Sequence, residues 1–140
     1  MMFQKPATGI HLCRGNQRSM WHREGTYDPI AERLLNELQH DRVLLEYDSP
    51  RAGSFEALRF VPKGKVVVLG LVSTKVPALE RIDDLKRRID EASRHIPLEQ
   101  LAVSPQCGFA SDVIGNLISE DDQKRKLEVV VETARQVWGK

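Results

Sequence analysis

Apolar and polar positions along the chain fall into short blocks whose period switches between two and about four. Residues 9–13 alternate strictly. Ile10 and Leu12 share one face, His11 and Cys13 the other, and the run stops at the Gly15-Asn16 turn signal. That pattern predicts a strand. Asp28 then reads as an N-cap with Pro29 at the first helical position. Ile30, Leu34, Leu35 and Leu38 recur at helical spacing, so the spacing predicts a helix to about Gln39. Residues 43–46 form a second short apolar run with a polar exit at Asp48, Pro50 and Gly53.

Residues 66–72 are almost continuously apolar, as expected of a parallel strand buried on both faces. Pro77 is read as introducing a long helix with Leu79, Ile82, Leu85, Ile89 and Ala92 on one stripe and Arg81, Lys86, Arg87 and Asp90 in solvent. Residues 100–104 predict a fourth strand stopped by Pro105. Ser119, followed by three acids, predicts a capping box. Leu127, Val130, Val131, Ala134 and Trp138 supply the apolar face of the last helix. Between the second and third strands the pattern is irregular.

Strands alternating with amphipathic helices predict an α/β fold of parallel βα units with right-handed crossovers. The pattern fits a small open sheet and half of an eight-stranded barrel equally well. With 140 residues and no interdomain linker or repeat, the expectation is a single domain over 1–140.

Composition narrows the class. Hydrophobic residues make up 41% of the chain and charged residues 29%, values typical of soluble globular proteins. A formal net charge of +1 provides no general attraction to nucleic acid or anionic membrane. No apolar run approaches a membrane span. Residues 1–6 lack the apolar core of a signal peptide, so a cytoplasmic location is expected. The two cysteines, Cys13 and Cys107, are accordingly read as buried, catalytic or metal-bound thiols rather than a disulfide.

The polar residues with chemical potential share one address. His11 and Cys13 end the first strand, Glu46 ends the second, and Cys107 follows the fourth in the turn Pro105-Gln106-Cys107-Gly108. In parallel α/β arrangements the strand C-termini open onto one face, where sites are built. One imidazole, two thiolates and one carboxylate make a tetrahedral zinc set. The bland alternative stays open, because a cysteine also serves as a small buried hydrophobe and a histidine as hydrogen-bonded structure. There is no Cys-x2-Cys pair, so a zinc ribbon is excluded. Lys75, Asp48 and Arg51 lie just beyond strand ends; Lys75 and Asp48 are the candidate catalytic residues, with a solvated loop charge as the alternative for each. His22, His40 and His95 read as structural or exposed. Trp21 and Tyr27 fall to the pocket mouth or to packing on the following helix.

The segments His11-Leu12-Cys13-Arg14-Gly15-Asn16, Leu45-Glu46-Tyr47-Asp48 and Ser104-Pro105-Gln106-Cys107-Gly108-Phe109, with the helix ending Val137-Trp138, resemble the C-terminal catalytic barrel of cobalamin-independent methionine synthases. The resemblance is closest to the shorter, single-barrel relatives and spans nearly the whole chain. It implies the last four βα units of a TIM-type barrel and zinc held by His11, Cys13, Glu46 and Cys107. It also implies a methyltransferase of methionine biosynthesis, acting on a homocysteine-like thiol with a methyltetrahydrofolate-type donor. Two departures are visible. Where the full-length enzymes carry a catalytic histidine after the third of these strands, this chain has Val72-Ser73-Thr74-Lys75, as the shorter relatives carry a Ser-Lys type stretch. The first half of the barrel lies outside the chain, so a homo-oligomer or a partner chain completing the barrel is expected. The alternatives are a zinc thiol alkyltransferase of the epoxyalkane–coenzyme M type and a non-catalytic piece of a split barrel.

Overall fold

The computed structural model describes residues 6–139. Met1–Lys5, on which most of the signal-peptide argument rests, fall outside the described residues. Four strands, β1 (Gly9–Leu12), β2 (Arg42–Glu46), β3 (Val66–Val72) and β4 (Leu101–Pro105), form one sheet in the order β1-β2-β3-β4. Every neighbouring pair is parallel. Helix α1 (Asp28–Glu37) follows β1, α2 (Ile82–Ser93) follows β3, and α3 (Glu120–Trp138) follows β4. The irregular stretch between β2 and β3 contains a 3₁₀-helical segment, Phe55–Phe60, which packs on α1.

The strand register sorts side chains onto two faces, because partners in a parallel sheet point the same way. Leu12, Leu45, Leu69 and Val103 form one row, with Val43 and Val67 on the same side. Leu45, Leu69, Val43 and Val67 join Ala31, Leu35, Leu85, Ile89 and Ala92 from the helices in the buried core, with Leu12 and Val103 packed against it at the sheet edges. His11, Leu44, Val68 and Ala102 form the adjacent row on the opposite face, where no helix covers them and none is fully buried. One layer of helices on one face of a parallel sheet is the arrangement of a barrel wall.

Several boundaries differ from the sequence pattern. α1 has Tyr27 at its N-cap, with Asp28 already helical and no side-chain cap, and it ends at Glu37. Its buried positions are Ala31 and Leu35, while Ile30 is turned to solvent. α2 starts at Ile82, four residues after Ala78, so Leu79 belongs to an exposed loop rather than to the stripe. β4 runs one residue later than expected and includes Pro105, which an edge strand tolerates. The Ser119–Asp122 capping box is present in full. On α3 the buried positions are Lys126 and Thr133, with Val129, Val130, Val137 and Trp138 packed beside them, whereas Leu127 and Val131 are exposed. The Lys126 ammonium reaches the Ala78 carbonyl at 2.6 Å and the Glu80 carboxylate at 3.0 Å, which satisfies its charge in the interior. Among the described residues, no helix is long and apolar enough to cross a membrane.

Candidate metal centre

The C-terminal rim of the sheet gathers the four predicted side chains. His11 and Cys13, two apart, leave β1 on the open face; Glu46 closes β2; and Cys107 follows β4. One ligand atom from each of the four lies within 4.8 Å of all the others, so the group could hold a metal ion. The Cys13 and Cys107 sulfurs are 2.9 Å apart as free thiols, not a disulfide. Cys107 Sγ donates to Glu46 Oε1 at 2.5 Å, and His11 Nε2 lies 3.6 Å from the same oxygen. Glu46 pairs in register with Gly70, where a Cβ would press on the Leu45 and Pro105 carbonyl oxygens at 3.2 and 3.3 Å. A larger residue there would push the β2 and β4 ends apart.

The electrostatics follow from burial. Burial by itself would raise the Glu46 carboxyl, which is almost fully enclosed. Hydrogen bonds from His11 and Cys107, the charge of Lys75 and the Arg14 amide outweigh it and lower the group to about 2. Burial pushes the Cys107 thiol up, and the contacts with Cys13 and Glu46 push it further, so without a metal this sulfur keeps its proton and shares it with Glu46.

A second tier of residues, unmarked by the apolar pattern, holds the rim in place. Arg14 is buried; its guanidinium donates to the Gly25 carbonyl, the Tyr27 hydroxyl and the Glu46 carbonyl, and lies 4.3 Å over the Tyr27 ring. The Tyr27 hydroxyl in turn accepts from the Glu46 amide at 2.9 Å and lies 3.3 Å from the Leu12 carbonyl. Arg14 and Tyr27 thereby fasten the ends of β1 and β2 together, which fixes His11 against Glu46. Gly15 must be glycine, with φ of 97° and a Cβ that would sit 2.2 Å from the His22 ring. Asn16 donates to Thr74 Oγ1, the Gly108 carbonyl and Ser111 Oγ, and Asn116 reaches the Thr74 and Gly108 carbonyls. The loops after the two edge strands are therefore tied across the rim. Arg14 and Asn16 lie within the His11–Asn16 segment, and nothing in its spacing distinguishes a buried arginine from a solvated one.

The remaining candidates divide. Lys75 is buried beside the cluster, close enough for its charge to act on Glu46, and donates to Gln106 Oε1 at 3.3 Å. Asp48 is engaged by Arg51, at 3.2 and 3.3 Å, and Arg51 also lies 4.9 Å over the Trp21 ring. Tyr27 is buried against Tyr47, with ring centroids 5.2 Å apart, and belongs to packing; Trp21 stays exposed.

Comparison with known proteins gives a consistent result. The family described as "Cobalamin-independent synthase, Catalytic domain" matches residues 20–136. Two relatives from Bacillus subtilis (strain 168), the uncharacterized proteins YxjG and YxjH, are 52% and 49% identical over 130 residues. The match takes in 92% of this chain but only 34% of either relative, so the chain spans about a third of their length. A solved Listeria monocytogenes protein assigned as a vitamin-B12-independent methionine synthase shares 33% identity with a TM-score of 0.67, covering 96% of this chain and 36% of that one. A B12-independent methionine synthase from Shewanella sp. W3-18-1 has a TM-score of 0.77 at 18% identity over 97% of this chain and 40% of that one, a likeness of fold alone. The four parallel strands and the helices that cover them are thus part of the barrel type those proteins share.

Proposed function

The chain belongs to the cobalamin-independent synthase catalytic-domain family, and from that premise we propose that it is the zinc-binding, thiol-activating part of a methyltransferase. The acceptor is a homocysteine-like thiol and the donor of methyltetrahydrofolate type, as in methionine biosynthesis. The observation that carries this reading is the convergence of His11, Cys13, Glu46 and Cys107 at one end of the sheet.

The donor set suits zinc. Two sulfurs, an imidazole nitrogen and a carboxylate oxygen are the ligands zinc takes, at bonds of roughly 2.0–2.3 Å, and a common span of 4.8 Å is about two such bonds end to end. When bound, zinc would hold an acceptor sulfur as the thiolate, the nucleophilic form that a free thiol of pKa about 8.5 scarcely populates at neutral pH. His11, Cys13 and Cys107 would be the softer zinc donors, and Glu46, the hard one, would be the most weakly held of the four and so the donor most open to exchange for an acceptor sulfur. Its carboxylate already has other partners, the Arg14 amide at 3.3 Å and the charge of Lys75. In this reading Lys75 is the buried cation whose charge acts on Glu46, and Asp48 acts through its pair with Arg51. Reduced thiols of this kind suit the cytoplasm.

Zinc content of the purified chain tests the assignment. About one zinc per chain is expected, lost in both His11→Ala and Cys107→Ser; full occupancy in Cys107→Ser would sink it. Uptake should release protons, since Cys107 is protonated without a metal.

The open face favours one further reading about partners. Half-buried Leu44, Val68 and Ala102 and the two strand edges left unpaired among the described residues suit additional strands, from a second copy or another chain, before turnover. Methyl transfer by the monomeric chain alone would remove that requirement.

A further inference from the structure

We propose that Lys126 and Glu80 are positioning residues for the four-residue cluster: their ion pair holds the loop after β3, and that loop sets the places of both cysteines. The purpose of the pair rests on the zinc-binding, thiol-activating reading above, whereas its contacts stand without that reading.

Lys126 comes from α3 and is 0% exposed. Removing an ammonium from water is costly, and an apolar side chain of similar volume in its place is commonly as stable or more so. Val129 and Val130 of the same helix pack on the core, so stability alone does not call for a cation beside them. What the lysine has is reach. Its Nζ donates to the Ala78 carbonyl at 2.6 Å and to the two Glu80 carboxylate oxygens at 3.2 and 3.0 Å. Glu80 Oε1 in turn accepts from the Ser73 amide at 2.9 Å. Residues 73–81, between β3 and α2, have no helix or strand of their own. The pair ties the start of that loop, at Ser73, to its end, at Ala78 and Glu80.

Thr74, the next residue, is the hub, and it is fully buried. Its amide donates to Gln106 Oε1 at 3.2 Å. Its hydroxyl accepts from Asn16 Nδ2 at 3.1 Å, and its carbonyl accepts from Asn116 Nδ2 at 2.8 Å. Gln106 immediately precedes Cys107, and Asn16 closely follows Cys13. One residue of the loop thus grips both segments that carry the sulfurs. Displacing Thr74 would free one cysteine from the other. Hydrogen-bonded partners behind metal ligands are typically worth about 10–100-fold in metal affinity.

The test compares Lys126→Met with Lys65→Met. Lys65 is a second buried lysine with the same chemistry in another place. It donates to the Leu35 and Leu38 carbonyls at the end of α1, and it lies at the opposite end of β3 from Ser73. Two quantities are read: zinc affinity by chelator competition, and amide exchange at Thr74 and Gln106 in the metal-free chain. The Gln106 amide, which donates to the Val72 carbonyl at 3.0 Å, reports on the segment of Cys107. Lys126→Met should weaken zinc binding about tenfold or more and speed exchange at both amides by about the same factor, beyond any shift in global unfolding. Lys65→Met should leave both quantities as in the native chain. The double variant Lys126→Met, Glu80→Met leaves neither charge unpaired and carries the test if the single variant does not fold. Either change without the other, or equal losses in the Lys65→Met control, would overturn the positioning role. If the native chain takes up no zinc, the thiol-activating reading falls, and exchange decides the pair by itself. Faster exchange at Gln106 in Lys126→Met alone would then support the role, and unchanged exchange would overturn it.

Discussion

The two faces of the sheet are built from the same four strands and follow opposite rules. On the helix side, Val43, Leu45, Val67 and Leu69 are at most 1% exposed and sit among side chains of the helices and the Phe55–Phe60 segment. On the other side, the row His11, Leu44, Val68, Ala102 is partly open, and His11 joins Cys13, Glu46 and Cys107 beyond it in the polar cluster. Alternate residues of each strand thus divide the work, one set supplying burial and the other presenting chemistry and a surface for further strands. The contrast explains how a polar cluster with an almost fully enclosed carboxylate can exist in so short a chain. Its stability is provided one residue away, on the far side of the same backbone.

Substitutions that treat the faces differently measure this division. Leu69→Ala, on the covered face, should cost about 2–5 kcal/mol in denaturant unfolding, as buried leucines do. Cost below about 1 kcal/mol would remove the energetic basis of the contrast. Acid titration of the metal-free chain probes the open face. Glu46 is lowered from 4.5 to about 2 in the folded state, so the unfolded chain takes up its proton first. That stability is complete above about pH 4.5 and is lost as pH falls towards 2, at most about 3 kcal/mol. Glu46→Gln should flatten this part of the pH profile, and an unchanged profile would show that the carboxylate is not held as described. Tyr27→Phe removes the hydroxyl that joins the β1 and β2 ends; a loss of about 1–2 kcal/mol is expected. Amide exchange at Glu46, whose N–H donates to that hydroxyl, should speed up at the same time. Val68→Thr, on the open row, should shift stability by about 0.5 kcal/mol or less, read in the same unfolding experiment.

The strands were legible because burial imposes a period that the residues 9–13 and 66–72 display directly. The cluster was legible because its four residues all fall at strand ends, a position that topology turns into proximity. Helix limits were less so. Pro77 looked like a helix start, yet Ala78 and Glu80 are needed as loop partners of Lys126, and the helix waits until Ile82. The same contact hid the true face of α3, since a lysine is read as solvated until its counter-charge on a distant loop is known. Arg14 and Tyr27 were hidden for a related reason. Their value comes from backbone carbonyls and amides at strand ends, groups that every residue has and no motif records.

The order β1-β2-β3-β4 has a consequence for how the molecule forms. Among the described residues no strand pairs with any but its neighbour in sequence, so the sheet can grow by addition as the chain emerges, each step closing a loop of modest length at modest entropic cost. The contacts across the rim are the exception, Cys13 with Cys107 joining residues 94 positions apart and Asn16 with Ser111 residues 95 apart. They can close only after the last strand has docked, so the cluster is completed at the end of folding. An ion captured there would act as a clasp on a nearly finished structure, and its uptake during refolding would time the arrival of β4.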